Sequence, residues 1–318
     1  MTATSTTTAT SARAVIGTVS AQQALTFRRQ RVRLIGVATL LMVTAMAGIL
    51  GWSSHHTIVR VFDQAVQLQA AAGNPVPANP FLLKPSLSLL SNMVVYIPLI
   101  GALIALMVGH LALAEDQTNG MGRLIFTRPI ARTQYALGKI LSAVRLLATA
   151  LAGCWVLSLV ALLIVNRTLN GPDLARLTGF YALSWAYLVV FALIGMLTAL
   201  LIRRRSLALL SAIAVWIVVT FVLPQFVSGL RPTQSLNPLS EPAGLSQGFF
   251  RITHLAQPIS LVEGYKDAAS SILRTTPATT AAETALSVLP ILIAAAALAL
   301  LVLWRIQRHD YSRSASDE

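Results

Sequence analysis

Six stretches of about 20 apolar residues, each with few or no ionisable side chains, limit what this chain can become. A hydrocarbon core of about 30 Å is crossed by about 20 helical residues at 1.5 Å per residue. Unpaired backbone groups are costly there, so each stretch must be a helix. The stretches are about 34–52, 89–114, 146–165, 180–202, 207–227 and 286–304. Only Arg203, Arg204 and Arg205 separate the fourth from the fifth, because three adjacent guanidinium groups force the chain out of hydrocarbon. Composition agrees: 11% of residues are charged and mean hydropathy is +0.70, against roughly 25% charged in soluble domains. The expected fold class is an all-α membrane protein with six transmembrane helices.

Arginine and lysine favour short cytoplasmic segments, and this sets the expected orientation. With the N-terminus inside, sixteen bases fall on the cytoplasmic side and eight on the other. Both termini are therefore expected to be cytoplasmic. The net charge of +13 comes mainly from bases at span ends, where they orient the helices and meet anionic lipid. No nucleic-acid partner is expected. The single cysteine, Cys154, lies in the third span and reads as a small packing residue, with no disulfide framework or CxxC site.

Residues 1–14, rich in Ser, Thr and Ala, read as a disordered tail. Residues 15–33 read as a short helix on the cytoplasmic membrane surface. Ala21, Leu25 and Val32 would share its apolar face, with Arg28, Arg29 and Arg31 toward headgroups. The first external loop, 53–88, holds the proline-rich GNPVPANPFLLKP, and the second, 166–179, is short. Residues 228–285 form an external cap too small for a core of its own, with a helix near Ile259–Leu273. Residues 305–318 are a cytoplasmic tail.

The polar segment at 115–143, between the second and third spans, is the main internal feature on the cytoplasmic side. The second span should run on as helix past Ala114 and stop at Asn119-Gly120, which tolerate the left-handed closing conformation. Met121, Leu124 and Ile125 have the i, i+3, i+4 spacing of one short apolar face. Arg128 precedes Pro129 and so avoids the α region. Thr133 is the expected cap of the next helix, which carries Lys139 and Arg145 toward the membrane.

Gly120, Leu124-Ile125-Phe126, Pro129-Ile130, Arg132 and Gly138-Lys139, at that spacing, resemble the segment after the second span in permeases of the ABC type 2 exporter superfamily. The closest subgroup is that of nitrous-oxide-reductase maturation and antibiotic-resistance permeases. Met121 stands where such sequences usually have Thr, and Gly122 where they have an apolar residue. The resemblance implies a type V-like transmembrane domain whose 115–143 segment carries a coupling helix docked on a separate ATPase subunit. Leu124, Ile125 and Phe126 would be its apolar contact face. Pro129 and Arg132 would fix the turn, with Gly120, Gly138 and Lys139 at its ends. The implied partners are two ATPase copies, a second permease copy or a paralogue, and membrane lipids. ATP and Mg would be held by the ATPase, with no cofactor or metal on this chain. The implied location is the bacterial cell (inner or plasma) membrane.

The chain is not itself expected to hydrolyse ATP. A P-loop needs G-x-x-x-x-G-K-[ST], but Gly138-Lys139 is followed by Ile140 and preceded at the required distance by Thr133. No span contains an acid, which argues against an ion-driven secondary transporter. The expected cargo is hydrophobic or amphipathic: a drug, antibiotic, peptide or lipid. The alternative is a membrane subunit that passes ATPase motion to a maturation or signalling partner without carrying cargo. His110, the one clear ionisable residue inside a span, is a candidate substrate contact, with a hydrogen-bonded packing role as the plainer reading. His55 and His56, even with Met42 and Met46, make a poor metal set, because adjacent helical residues diverge by about 100°. Pro98 and Pro224 are expected to kink their spans, and Gly195 and Ala199 to allow close helix contact.

Overall fold

The computed structural model describes residues 12–71, 86–118, 130–166, 169–224, 260–275 and 280–308. Within them the secondary structure is helical: α1 (Ala12–Arg29), α2 (Val32–Ala71), α3 (Met93–Tyr96), α4 (Ala102–Thr118), α5 (Arg132–Asn166), α6 (Gly171–Leu201), α7 (Arg205–Ile217), α8 (Leu261–Ile272) and α9 (Ala281–Arg308). Among the described residues, six helical segments are long and apolar enough to cross a membrane: Val32–Leu68, Leu87–Ala114, Arg132–Val165, Gly171–Leu201, Arg205–Val222 and Ala282–Arg308.

Several helices outrun the apolar stretches inside them. α2 has 40 residues, or about 60 Å, twice the hydrocarbon thickness. The loop expected from Ser53 does not begin there, because no glycine or proline interrupts the chain between Trp52 and Ala71. α6 likewise starts at Gly171, inside the expected second loop, with Asn170 extended and Pro172-Asp173 in its first turn. Proline suits that position because first-turn N–H groups have no helical partner, and Asp173 complements the positive end of the helix. α1 begins at Ala12 and ends at Arg29. The break before α2 is Gln30-Arg31, with Arg31 in the left-handed region at φ 59°.

The two proline expectations resolve into π-turns. The second span passes from a 3-10 turn at Ser86–Leu90 through α3 and a π-turn at Ile97–Gly101 into α4. Pro98 has no N–H for the helical ladder, and the wider turn absorbs the defect. A second π-turn, Val218–Val222, follows α7 and ends two residues before Pro224. α8 lies near the expected Ile259–Leu273 and is capped by Ser260, whose Oγ accepts from the Glu263 N–H at 3.3 Å. α9 opens on a reciprocal capping box. Glu283 N–H donates to Thr280 Oγ1 at 3.3 Å, and Thr280 N–H to Glu283 Oε2 at 3.0 Å.

The six spans are not equivalent. In the most apolar window of each, 67% of the α4 span and 72% of the α6 span is buried, against 11% for α7 and for α9 and 17% for α2. α4 and α6 are therefore the centre, and the others surround them. The central pair meets through two glycines. A Cβ on Gly109 would lie 1.8 Å from the Ala192 carbonyl oxygen, and one on Gly195 would lie 2.1 Å from that of Leu106. Apolar residues gain little from leaving lipid for protein, so this close backbone approach supplies the dispersion contact that joins two spans. Gly195 thus behaves as expected, and Ala199 is buried along the same helix.

At one end of the centre, α8 inserts Tyr265 against α6. The Tyr265 and Tyr187 ring centroids are 4.6 Å apart, and the Tyr265 hydroxyl lies 2.9 Å from Ser184 Oγ. α5 is tied to α6 by Ser158 and Tyr181 hydroxyls 2.6 Å apart and by Trp185 Nε1 donating to the Val144 carbonyl at 3.1 Å. Cys154 is fully buried beside this seam and unbridged, in keeping with a packing role.

Candidate functional site

α4 runs past Glu115 and Asp116 to Thr118, one residue before the expected stop, and α5 begins at Arg132. Gly120, Leu124, Ile125, Phe126 and Pro129 lie outside the described residues, as do Met121 and Gly122. The structure therefore bears on the site through Arg132, Gly138 and Lys139. Thr133 is not the cap of α5. Ala131 holds that position, its carbonyl accepting from the Tyr135 N–H at 3.1 Å, and Thr133 falls inside the first turn.

Arg132 lies in the first turn of α5, and its Nη1 donates to the Gln307 carbonyl at 2.7 Å. Gln307 is the penultimate residue of α9, so its carbonyl is among the last four that lack a helical partner. A guanidinium there satisfies the orphan acceptor and complements the negative end of the helix. The bond also fastens the start of the third span to the end of the sixth.

Gly138 and Lys139 face α1. A Cβ on Gly138 would lie 2.7 Å from Val19 Cβ and Cγ1 and 3.1 Å from the Ile16 carbonyl oxygen, so only glycine lets α1 sit this close. Lys139 is 5% exposed. Its Nζ donates to Gln23 Oε1 and lies 5.4 Å from the Tyr135 ring centroid. Nearly two turns further along α5, Arg145 Nη1 donates to Ser20 Oγ at 3.4 Å. The polar start of α5 is thus covered by α1 along one side.

This docking decides which face of α1 is buried. Val19, Ser20, Gln23 and Phe27 are buried, whereas Leu25 is 57% exposed and Ala21 is exposed. Ala21 and Leu25, expected on the apolar face that meets the membrane surface, thus remain exposed, whereas Val32 belongs to α2 and is half-buried. Gly138 and Lys139 select the neighbouring face, and they are over a hundred residues away in sequence. Ser20, Gln23 and Gln307 are the contributors that sequence reasoning missed. Only the four-residue spacing of Val19, Gln23 and Phe27 hinted at the correct stripe.

His110 lies on α4 beside Gly195, 1% exposed, and neither ring nitrogen has a hydrogen-bond partner among the described residues. The hydrogen-bonded packing role is thus not what these residues provide. Its backbone nitrogen would lie 2.9 Å from a Cβ on Gly195, so the close approach of α6 encloses it. Among the described residues, no group of three or more His, Cys, Asp or Glu side chains could hold a metal ion. Met42 and Met46 are exposed, and His56 packs edge-on against Trp52 with ring centroids 4.8 Å apart.

Compared with known families, the chain matches the one described as ABC-2 family transporter protein over residues 4–311. No curated protein matches it significantly.

Proposed function

The chain belongs to the ABC-2 transporter family, and from that premise we propose that it is the membrane subunit of an ATP-driven exporter. It is a non-catalytic permease component with six potential membrane-spanning helices. In this reading both termini face the cytoplasm of a bacterial cell. Two such subunits, or one and a paralogue, pair with two ATPase subunits that hold ATP and Mg. The cargo is hydrophobic or amphipathic and leaves the cytoplasm or the inner leaflet, because no span offers an acidic side chain to a charged solute. The subgroup favoured by the Gly120–Lys139 spacing is that of the nitrous-oxide-reductase maturation and antibiotic-resistance permeases.

The observation that carries this reading is the placement of residues 115–143 between α4, the centre of the bundle, and α5, which carries α1. A push on that segment has two rigid outlets. One is α4, locked to α6 through Gly109 and Gly195. The other is α5, fastened to α9 through Arg132 and to α1 through Gly138 and Lys139. Leu124, Ile125 and Phe126 make the direct ATPase contact, and Pro129 and Gly120 shape the turn. Arg132, Gly138 and Lys139 pass the displacement into the helices. The double variant Leu124→Asp/Ile125→Asp tests this: the permease still inserts, but its ATPase no longer co-purifies. Unchanged co-purification overturns the coupling role.

A further inference from the structure

Where α1 leaves α5, the two helices and the start of α2 enclose a pocket of about 160 Å³. Its walls include Ser20 and Phe27 of α1, Arg33 of α2, and Ser142, Arg145 and Thr149 of α5. The remaining lining is alanine and leucine, and none of it is acidic. We propose that this pocket binds the phosphate of an anionic phospholipid headgroup.

Three observations converge on that ligand. The first is depth. Arg33 immediately precedes Leu34, where the first apolar stretch begins, and Arg145 immediately precedes Leu146, where the third begins. Both guanidinium groups therefore sit at the boundary of hydrocarbon and water, the level of lipid phosphates. The second is charge. Two arginines enter a pocket with no acid in its wall, and the planar guanidinium fork matches phosphate oxygens in bidentate geometry. The third is an unmet hydrogen-bonding group. Ser142 lines the pocket and is 3% exposed, and its Oγ has no partner among the described residues. A buried hydroxyl without a partner is costly, and a rotation of the Ser142 side chain toward the pocket would let a phosphate oxygen accept from it. Ser20 and Thr149 add hydroxyls on either side, while Phe27 and Leu146 offer apolar surface to the glycerol and first acyl carbons.

The left-handed turn at Arg31 gives the pocket its shape. With φ at 59°, Arg31 breaks the helix between α1 and α2, and Arg33 lines the same pocket as Ser20 and Phe27 of α1. A bound headgroup would bridge α1, α2 and α5 and hold α1 against Gly138 and Lys139. This inference goes beyond the exporter reading, since it depends on neither cargo nor ATPase.

The full-length chain, purified in a neutral detergent, would be titrated with short-chain phosphatidylglycerol, short-chain phosphatidylcholine and inorganic phosphate. Phosphatidylglycerol should bind saturably, and phosphatidylcholine at least about tenfold more weakly. Arg33→Gln/Arg145→Gln should weaken phosphatidylglycerol binding at least about tenfold, and Ser142→Ala by about threefold to tenfold. Arg28→Gln/Arg29→Gln removes two exposed charges outside the pocket wall and should leave binding within about twofold. Failure of inorganic phosphate to compete identifies lipid as the source. Competition that is lost in the same variants identifies free phosphate on the same groups. Should the double variant misfold, Arg33→Gln and Ser142→Ala carry the test alone. Wild-type binding in every pocket variant, equal binding of phosphatidylcholine, or an equal loss in the Arg28/Arg29 variant would each overturn the proposal.

Discussion

At the α4–α6 contact the partner's backbone fills the space left by each glycine, whereas at the α1–α5 contact mainly a side chain does. Gly109 and Gly195 are reciprocal: each receives the carbonyl of the other helix, and apart from His110 the residues meeting them are apolar. Gly138 is one-sided and receives Val19, beside the Lys139–Gln23 and Arg145–Ser20 hydrogen bonds. A backbone cannot turn aside without moving its whole helix, so the first contact makes one unit of two spans. The second joins a peripheral helix to a span through groups that can yield separately. In an exporter driven through residues 115–143, the first contact would carry motion without loss, and the second would set how firmly α1 follows.

The largest effect is expected from valine at the reciprocal notch. Gly109→Val or Gly195→Val puts carbon within about 2 Å of a carbonyl oxygen, so α4 and α6 must separate along their length. The cost should be about 3 kcal/mol or more, at the upper end for overpacking. It should appear as loss of a monodisperse peak when the detergent-solubilised chain is run on a sizing column. A folded Gly195→Val protein with an unchanged unfolding midpoint would show that this contact is not the joint described.

The spans were legible because hydrocarbon imposes a length and a composition that packing cannot rewrite. The Arg203–Arg205 break was legible for the same reason: α6 ends at Leu201 and α7 starts at Arg205. Helix ends beyond the bilayer were less so. Nothing in Ser53–Ala71 stops a helix, and the half-buried Ile58, Phe62 and Val66 fall at helical spacing, so α2 continues well past the apolar run. At the candidate site, Arg132, Gly138 and Lys139 were singled out by the resemblance of their segment to the permease family. Their contacts could not be read, because Gln307, Val19 and Gln23 are over a hundred residues away, and no local pattern says which helix meets which. The side of α1 that docks on α5 was not legible on the same ground: a helical stripe records which residues are apolar, whereas burial here follows Gly138 and Lys139.

A smaller and more local effect is expected at the one-sided notch. Gly138→Val should push Val19 away and lift α1, at a cost of about 1–3 kcal/mol confined to that helix. Trypsin reports this directly, since Arg28, Arg29, Arg31 and Arg33 surround the turn between α1 and α2. Cleavage there should accelerate severalfold, while the thermal midpoint of the span bundle hardly moves. If Gly138→Val instead destabilises the bundle as much as Gly109→Val, the two contacts do not differ in kind.

The smallest effect concerns the polar contact beside that notch, and it separates pairing from mere burial. Lys139→Met keeps the apolar stem and removes the donor, leaving Gln23 Oε1 without its lysine. Gln23→Leu keeps the volume and removes this acceptor. Each single change should release α1 in the trypsin assay, because each removes one side of the Lys139–Gln23 hydrogen bond. In the double variant Met and Leu face one another, and much of the loss should be recovered. The resulting coupling should be about 1 kcal/mol. Additive losses would mean that Lys139 and Gln23 are each buried by the approach at Gly138 and do nothing for one another. The glycine alone would then hold α1, as glycine alone holds α4 to α6.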